Sequence, residues 1–427
     1  MLIKFLREQI ILIQKKFEPL ANRDFRRLLI SKGTTSIGYW ISFVAIFSKF
    51  VFETNIGPIG VGIFALVQLL PNVFSSFFFG PFADRFDRRK LLVFTEIVSA
   101  FLVLTLVFVN YVLVSYLVLF VLGLVKSLAG PTQKSMVAQI ITKEEILPKA
   151  NGIINGISTT AGIAGPGIGG LLLIVTTPES MFILDSVSYF LSAILILTMS
   201  KYTVKESTSR AHFGQLIDGF RYIRSSSIII SVIITNMLVF GLIGIFDAVF
   251  PLLIKENLLG TASDFSIIIG IVALGSLSGS GLMSTYGDQI SSQNGIIIGT
   301  FMGGVSILCI GSVVMIGTNT SWVWIFVSVF AFFNGFGNSI GIGYSYTLIQ
   351  QRTDNEYMGR TFSTFRSLTS FFEICLIMAG SFALTRINIT SVYIFAGILL
   401  LSVSIILFVI RIVYGSIGFQ ESTSYDI

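Results

Sequence analysis

The chain has 427 residues, of which 53% are hydrophobic and 12% are charged, and its formal net charge is +6. Soluble domains carry about 25% charged residues, because a folded chain of this length must cover its apolar core with polar groups. The composition therefore excludes a soluble globular protein and indicates that lipid surrounds the chain. With one histidine and two cysteines, it also predicts no metal site and no cofactor.

Twelve apolar runs follow one another along the chain, and each is close to the roughly 20 residues that a helix needs to cross a bilayer. The first six spans are predicted at 28–52, 59–83, 91–109, 112–132, 147–175 and 180–200. The second six are predicted at 228–254, 265–286, 294–317, 321–348, 359–385 and 390–412. The predicted fold class is an all-α integral membrane protein with 12 transmembrane helices in two six-helix halves.

The polar breaks between these runs divide the chain into five segments. They are a cytoplasmic amphipathic segment at 1–27, an N-terminal half at 28–200, a cytoplasmic linker with an amphipathic helix at 201–227, a C-terminal half at 228–412 and a cytoplasmic tail at 413–427. Lysine and arginine fall before the first span, in alternate loops and in the linker, whereas the loops at 53–58, 109–112 and 175–180 contain neither. Since basic residues favour the cytoplasmic side, both termini are predicted to be cytoplasmic.

The two halves show signs of a repeat. Asp84 ends the second span, and Asp288 ends the eighth span 204 residues later. Asn151 opens the fifth span and Gly359 opens the eleventh at nearly the same offset. Parallel six-helix repeats are one known transporter plan, so the halves are predicted to be pseudo-symmetric.

The segment GPFADRFDRRKLL, which follows the second span, interrupts the apolar sequence with six charges between Asp84 and Lys90. It resembles the loop between spans two and three of the major facilitator superfamily, in the form found in its branch of macrolide and other drug exporters. The matching positions are Gly80, Ala83, Asp84, Arg85, Arg88, Arg89 and Leu91, whereas Asp87 replaces a glycine of the pattern. The resemblance continues at the first, sixth and eleventh spans and covers nearly the whole chain.

The resemblance implies a cytoplasmic gate, in which Asp84 faces the positive N-terminus of the eleventh span near Arg360. The predicted gating residues are Gly80, Asp84, Arg85, Arg88 and Arg360. Such a contact would bias an equilibrium between two conformations, which alternating access requires. The alternative is that these charges only fix the topology.

The fifth span contains a second motif, GPGIGG, which the resemblance associates with exporters. Its residues are Gly162, Gly165, Pro166, Gly169 and Gly170. Glycines three and four residues apart remove the side chains from one helix face, so a neighbouring helix can approach closely. Pro166 cannot donate its backbone hydrogen bond, so a bend is expected there. The alternative is ordinary packing of small residues.

Four ionisable residues fall inside predicted spans, where a charge is costly and indicates a functional site by default. They are Lys126, Asp247, Glu373 and Glu96, and they are predicted to couple protons or to bind substrate. Each could instead pair with a neighbouring helix, for example Lys126 with Glu373. The aromatic residues predicted to line a substrate cavity are Tyr39, Trp40, Phe43, Tyr344 and Tyr346.

The leading functional hypothesis is a secondary active exporter of a lipophilic small molecule, such as a drug, a macrolide-like compound or a metabolite, driven by proton antiport in the cell membrane. An importer or facilitator with the same fold is the first alternative, and a non-transporting membrane sensor or assembly partner is the second. An enzyme is not expected, because no nucleophile–base pair or metal constellation is present. The predicted partners are a small-molecule substrate, a proton or another cation, and membrane lipid, with no nucleic acid, and the chain is predicted to be monomeric.

Overall fold

The computed structural model describes residues 18–54, 56–83, 86–143, 146–200, 202, 221–224, 226–317, 320–354 and 357–415. Its regular elements in these ranges are all helical. Twelve long helices follow one another: α1 (Arg23–Phe47), α2 (Pro58–Ala83), α3 (Arg88–Phe108), α4 (Val112–Ile140), α5 (Leu147–Val175), α6 (Pro178–Leu197), α7 (Ser227–Leu252), α8 (Ala262–Tyr286), α9 (Ser292–Ile316), α10 (Ser321–Arg352), α11 (Met358–Ala383) and α12 (Ile389–Gly415). Residues 1–17 of the predicted N-terminal amphipathic segment and most of the predicted linker helix lie outside the described residues, whereas α1 already begins at Arg23 within that segment.

Within the described residues, eleven of these helices are long and apolar enough to cross a membrane. For α2, the apolar stretch that the structure describes fully is Pro58–Pro71, which is shorter than a span. An all-α membrane fold is thus confirmed, and each of the twelve predicted spans corresponds to one long helix. The largest difference is at α4, which was predicted to end at residue 132 but continues to Ile140. Pro131 lies inside this helix, and a proline is tolerated within a membrane helix where neighbouring groups satisfy the backbone carbonyl that it frees.

Polar caps fix where several helices begin. Asn22 accepts hydrogen bonds from the backbone N–H groups of Asp24 (2.9 Å) and Phe25 (3.2 Å) at the start of α1. Thr261 and Asp264 form a reciprocal capping box at the start of α8. Since the first N–H groups of a helix have no partner within it, these caps end each loop at a defined residue.

Two helices end in a π-helical segment: Ser48–Glu53 extends α1 and Leu253–Asn257 extends α7. Lys49 lies in the first of them with 2% of its surface exposed. Its Nζ donates to the carbonyl oxygen of Leu106 at 3.1 Å and pairs with Glu179 Oε1 at 3.2 Å. Lys255, in the second segment, donates to the carbonyl oxygen of Val51. Both lysines thus lie in wide π-helical turns, and each donates a hydrogen bond to a backbone carbonyl oxygen.

The helices form two compact units. Unit 1 consists of the described residues of Met1–Lys49 and Phe74–Gly214, and unit 2 of those of Phe50–Val73 and Gln215–Ile427. In unit 1, α1 packs against α5 and α6, and α3 packs against α4 and α6. In unit 2, α7 packs against α11 and α12, and α9 packs against α10 and α12. The same helix pairs, counted from the first helix of each unit, therefore recur.

The helix starts also recur at a constant distance along the chain. The first three helices begin at residues 23, 58 and 88, and α7, α8 and α9 begin at residues 227, 262 and 292, which is 204 residues later in each case. This is the offset that separates Asp84 from Asp288. The repeat is therefore clearer in the starting positions of the described helices than in the residues that occupy corresponding positions.

Polar contacts join the start of α1 to the end of α6 in unit 1. Asp24 accepts hydrogen bonds from the backbone N–H of Ser200 at 3.0 Å and from the hydroxyl of Tyr202 at 2.9 Å. Partial burial and the Asp24 carboxylate raise the pKa of Tyr202 to about 12, so its hydroxyl remains a donor at neutral pH. Arg27 donates to the carbonyl of Thr198 at 2.6 Å, and Arg89 donates to that of Ile196 at 3.2 Å. These cations stabilise the negative C-terminal end of α6.

Candidate functional site

A cluster of mixed charge lies among the spanning helices of unit 1. It consists of Lys32 on α1, Glu96 on α3, Lys126 on α4 and Asp185 on α6. Glu96 interacts electrostatically with both lysines, and Lys126 interacts with Asp185. The two positive and two negative charges balance when all four groups are ionised. We call these four residues the charge cluster.

The Lys126 ammonium is held against two tyrosine rings. Its Nζ lies 3.7 Å from the ring centroid of Tyr39 and 5.2 Å from that of Tyr189. A cation over an aromatic face is attracted by the electron density of the ring. No ion pair within 4.0 Å and no hydrogen bond joins this ammonium to another described residue.

Asp185 is turned towards α1 and is 1% exposed. The hydroxyl of Ser188 donates to its Oδ1 at 3.3 Å. Gly38 of α1 faces the same oxygen, and a Cβ at Gly38 would overlap it. The buried Ser42 hydroxyl interacts with Asp185 as a side-chain hydrogen-bond partner, although neither Ser42 Oγ nor Asp185 Oδ2 has a hydrogen bond of normal geometry among the described residues.

Unit 2 carries a pair of acidic side chains instead. Asp247 on α7 and Glu373 on α11 interact as like charges, and their two helices pack against each other. Gly244, one turn before Asp247, provides the space: a Cβ there would lie 2.9 Å from Glu373 Cγ. Asp247 is exposed and Glu373 is half-buried, so neither carboxylate is fully buried inside unit 2.

Two further groups act on this acidic pair. The guanidinium of Arg366, two turns before Glu373 on α11, attracts the Glu373 carboxylate. Tyr393 on α12 lies within electrostatic range of Asp247, but its hydroxyl donates to the carbonyl of Phe246 at 3.2 Å. Among the described residues the acidic pair therefore has one cationic neighbour, in contrast to the two lysines of the charge cluster.

The predicted exporter motif forms the face of α5 that packs on α1. A Cβ at Gly165 would overlap Trp40 Cβ, a Cβ at Gly162 would lie 3.3 Å from Trp40 Nε1, and one at Gly169 would lie 3.2 Å from Ile41 Cα. Gly170 is buried, and Pro166 lies inside α5. The motif thus makes room for the Trp40 indole, whose ring lies 5.4 Å from the rings of both Tyr39 and Phe43.

The structure describes the predicted gating residues only in part. Gly80 lies in α2, Arg88 begins α3 and Arg360 lies in the first turn of α11. The side chain of Arg360 and the whole of Asp84 and Arg85 lie outside the described residues, so the gate stays a prediction.

The two predicted cavity aromatics of α10 differ in burial. Tyr344 is 2% exposed, and its hydroxyl donates to the carbonyl of Gly287 at 3.2 Å. It packs within unit 2, and we do not propose a cavity role for it. Tyr346 is half-buried, with its ring 5.8 Å from the rings of Phe362 and Phe365.

Sequence reasoning named Lys126 and Glu96 but missed their partners, Lys32 and Asp185. Lys32 lies inside the predicted first span, and Asp185 lies inside the predicted sixth span. The criterion that selected Glu373, a charge inside an apolar run, would have found both residues.

Comparisons with known proteins agree with this architecture. A family model described as "Transmembrane secretion effector" matches residues 14–422. The uncharacterized MFS-type transporter YfiS of Bacillus subtilis (strain 168) is 22% identical over 390 residues, which cover 89% of this chain and 91% of YfiS. Macrolide efflux protein A of Streptococcus pyogenes is 24% identical over 351 residues, which cover 80% of this chain and 85% of that protein.

A solved structure shows the same fold. The crystal structure of the nucleoside transporter NupG matches with a TM-score of 0.70 at 12% identity, covering 91% of this chain and 98% of that chain. The fold is therefore the major facilitator fold, with 12 transmembrane helices in two six-helix halves. The family match also confirms that the chain is a transporter and not an enzyme. It belongs to the transmembrane secretion effector family of the major facilitator superfamily, whose members are multi-pass membrane proteins that bind small-molecule substrates.

Proposed function

We propose that this chain is a secondary active transporter that exports a lipophilic small molecule in exchange for protons, by alternating access across the cell membrane. The observation that carries the proposal is the acidic pair of Asp247 and Glu373 on the packed helices α7 and α11. An ionised carboxylate within a membrane is costly, and two of them that repel each other are more so. Proton binding relieves both costs, so the pair can bind and release a coupling proton.

The direction of transport is supported by the GPGIGG motif and by the relatives. The family description refers to secretion, and one relative is named as a macrolide efflux protein. The aromatic surroundings of Trp40 and the high phenylalanine content, 40 residues, suit a lipophilic compound. These features support export over import and keep drug or multidrug efflux within the proposal.

The gate and topology belong to the same proposal. Asp84 and Arg85, with Gly80 and Arg88, would close the cytoplasmic side against the start of α11 near Arg360. Both termini would then be cytoplasmic, as the distribution of basic residues predicts. The transporter would work as a monomer in the lipid bilayer.

The experiment is transport into proteoliposomes under an imposed pH gradient, with a panel of lipophilic dyes and macrolides. It compares the wild type with the Asp247→Asn/Glu373→Gln variant, with Asp84→Asn as a test of the gate. Glu256→Gln is the matched control, because Glu256 is an exposed acid in the segment that extends α7. Substrate exchange at equal pH on both sides is measured in parallel, since it requires binding and alternating access but no coupling.

We expect the Asp247→Asn/Glu373→Gln variant to lose gradient-driven accumulation and to keep exchange, whereas Glu256→Gln resembles the wild type. Asp84→Asn should slow both processes, because it acts on the conformational equilibrium. Wild-type efflux that survives a protonophore would refute proton antiport. Gradient-driven uptake into cells, in place of efflux, would favour the importer, and an absence of exchange for every compound would favour a non-transporting protein.

A further inference from the structure

The Lys126 ammonium has hydrogen-bond donors that the described protein does not use. An ammonium offers three N–H donors, and the contacts of Lys126 are to the faces of Tyr39 and Tyr189, 3.7 Å and 5.2 Å away. These faces attract the charge but accept no conventional hydrogen bond. A half-buried ammonium therefore stands with its donors available, inside a spanning helix where cations are normally paired.

The acids of the charge cluster do not supply an acceptor for these donors. Asp185 attracts Lys126, but its Oδ1 lies against Gly38 and accepts from Ser188 at 3.3 Å. Glu96 divides its attraction between Lys32 and Lys126. The two acids thus offset the charge of the lysines without providing the hydrogen-bond acceptor that the Lys126 ammonium lacks.

The hydroxyl of Ser42, a residue that is 3% exposed, is also a side-chain hydrogen-bond partner of Asp185. Asp185 is thus held by the hydroxyls of Ser42 and Ser188. An acceptor for the Lys126 ammonium would have to come from another group that enters beside it.

We propose that Lys126 binds an acidic group, such as a carboxylate, of the transported compound, with the apolar body of that compound against the neighbouring aromatic rings. An oxyanion would accept from the free ammonium donors in charge-assisted hydrogen bonds. A compound with a fixed positive charge would instead meet Lys126 as a like charge. The substrate class is thus a lipophilic organic acid, and this inference rests on the proposed transport function because it names the substrate of that transporter.

The test is equilibrium binding to the purified transporter of matched pairs of radiolabelled compounds, each an acid and its isosteric primary amide. The pairs span increasing size: 1-naphthylacetate, 1-pyrenebutyrate and cholate, each with its amide. The variants are Lys126→Met, which keeps an apolar stem, and Lys126→Arg, which keeps the charge. Lys134→Met is the control, because Lys134 is an exposed lysine two turns further along α4.

We expect the wild type to bind at least one acid about tenfold or more tightly than its amide, as a charge-assisted hydrogen bond in a membrane site would give. Lys126→Met should remove this preference by weakening the binding of the acid more than that of its amide, whereas Lys126→Arg and Lys134→Met should retain it. Equal binding of every acid and its amide by the wild type would overturn the proposal without any variant. An absence of acid binding across the panel, or a preference that persists in Lys126→Met, would also overturn it.

This result is separable from the coupling experiment, because binding is measured without a pH gradient and is repeated in Glu373→Gln. Acid preference together with gradient-independent transport would refute proton antiport and keep the Lys126 site. Gradient-driven export of neutral or cationic compounds, without acid preference, would keep the proposed function and refute the Lys126 site.

Discussion

The α1–α5 pair of unit 1 and the α7–α11 pair of unit 2 hold corresponding places in the repeat, yet the glycines with the closest contacts lie on opposite partners. In unit 1 the glycines belong to α5, and α1 supplies the large Trp40 that fills the space at Gly165. In unit 2 Gly244 belongs to α7, and α11 supplies Glu373. The same close approach of two helices therefore holds a neutral indole in one half and an ionisable carboxylate in the other.

This difference shows how one packing device can serve two purposes. The glycine face against Trp40 buries a rigid aromatic group and stabilises unit 1. The glycine beside Glu373 leaves space for a flexible acid next to Asp247, and in the proposed function this pair binds the coupling proton. We therefore expect substitutions in unit 1 to reduce stability most and those in unit 2 to change coupling most.

The largest loss of stability should follow Gly165→Ala. Its new methyl group would overlap Trp40 Cβ, and overpacking of a core contact costs about 1–3 kcal/mol. Gly156→Ala on the same helix is the control, because a Cβ there meets nothing within 4 Å. The melting temperature measured in detergent should fall clearly for Gly165→Ala and should not fall for Gly156→Ala. Equal stability of the two variants would contradict the packing role assigned to the motif.

A smaller loss of stability with a larger loss of coupling should follow Gly244→Ala. The added methyl group would lie 2.9 Å from Glu373 Cγ and 3.0 Å from Ile377 Cδ1, and these flexible side chains can yield for about 1 kcal/mol or somewhat more. Glu373 would then move relative to Asp247. Gradient-driven transport should fall while substrate exchange at equal pH continues.

Gly241→Ala is the matched control for that measurement. Its methyl group would overlap Leu376 Cδ1, so it disturbs the same helix pair one turn away without touching an acid. It should cost stability and leave the ratio of gradient-driven transport to exchange unchanged. The same fall in this ratio for both variants would mean that helix packing, and not the position of Glu373, governs coupling.

The smallest effect should come from Arg89→Gln, which gives unit 1 the residue type found 204 positions later at Gln293. Arg89 donates to the carbonyls of Ile196 and Leu197 at the end of α6, and a cation at a helix C-terminus contributes about 0.3–1 kcal/mol. The free energy of unfolding of Arg89→Gln, measured at low salt, should be lower than that of the wild type by this amount. Lys90→Gln, at an exposed neighbouring position, should show no such decrease.

Much of the fold could be predicted from the sequence, because a membrane span needs a long apolar run and the polar caps lie at its ends. The fifth span was predicted at 147–175 and is observed as Leu147–Val175. The end of α4 was missed because Pro131 resembles a helix stop, although a polar continuation to Ile140 remains helical. The contact of Arg89 with α6 could not be predicted, since its carbonyl acceptors are 107 and 108 residues away in sequence.

The candidate site could be predicted only in part, for a physical reason. A charge inside an apolar run is visible in the sequence, which is how Lys126, Glu96, Asp247 and Glu373 were selected. Which charges meet depends on helix packing, and that information is absent from any single helix. The GPGIGG motif was recognisable because its glycines are grouped on α5, whereas Gly244 is an unremarkable glycine until α11 is packed against it.

The constant spacing of helix starts bears on the ancestry of the chain. An interval of 204 residues between the first three helices of the two halves indicates a duplicated ancestral segment with no net insertion between these starts since the copying event. The interval then grows to 209 at α10 and 211 at α11 and α12. The added residues fall mainly in longer helices, since α9 has 25 residues against 21 in α3, and α10 has 32 against 29 in α4. Up to the start of the sixth helix, the second copy is therefore longer than the first mainly in its third and fourth helices. The most closely packed glycines of the two helix pairs lie on different helices of the repeat.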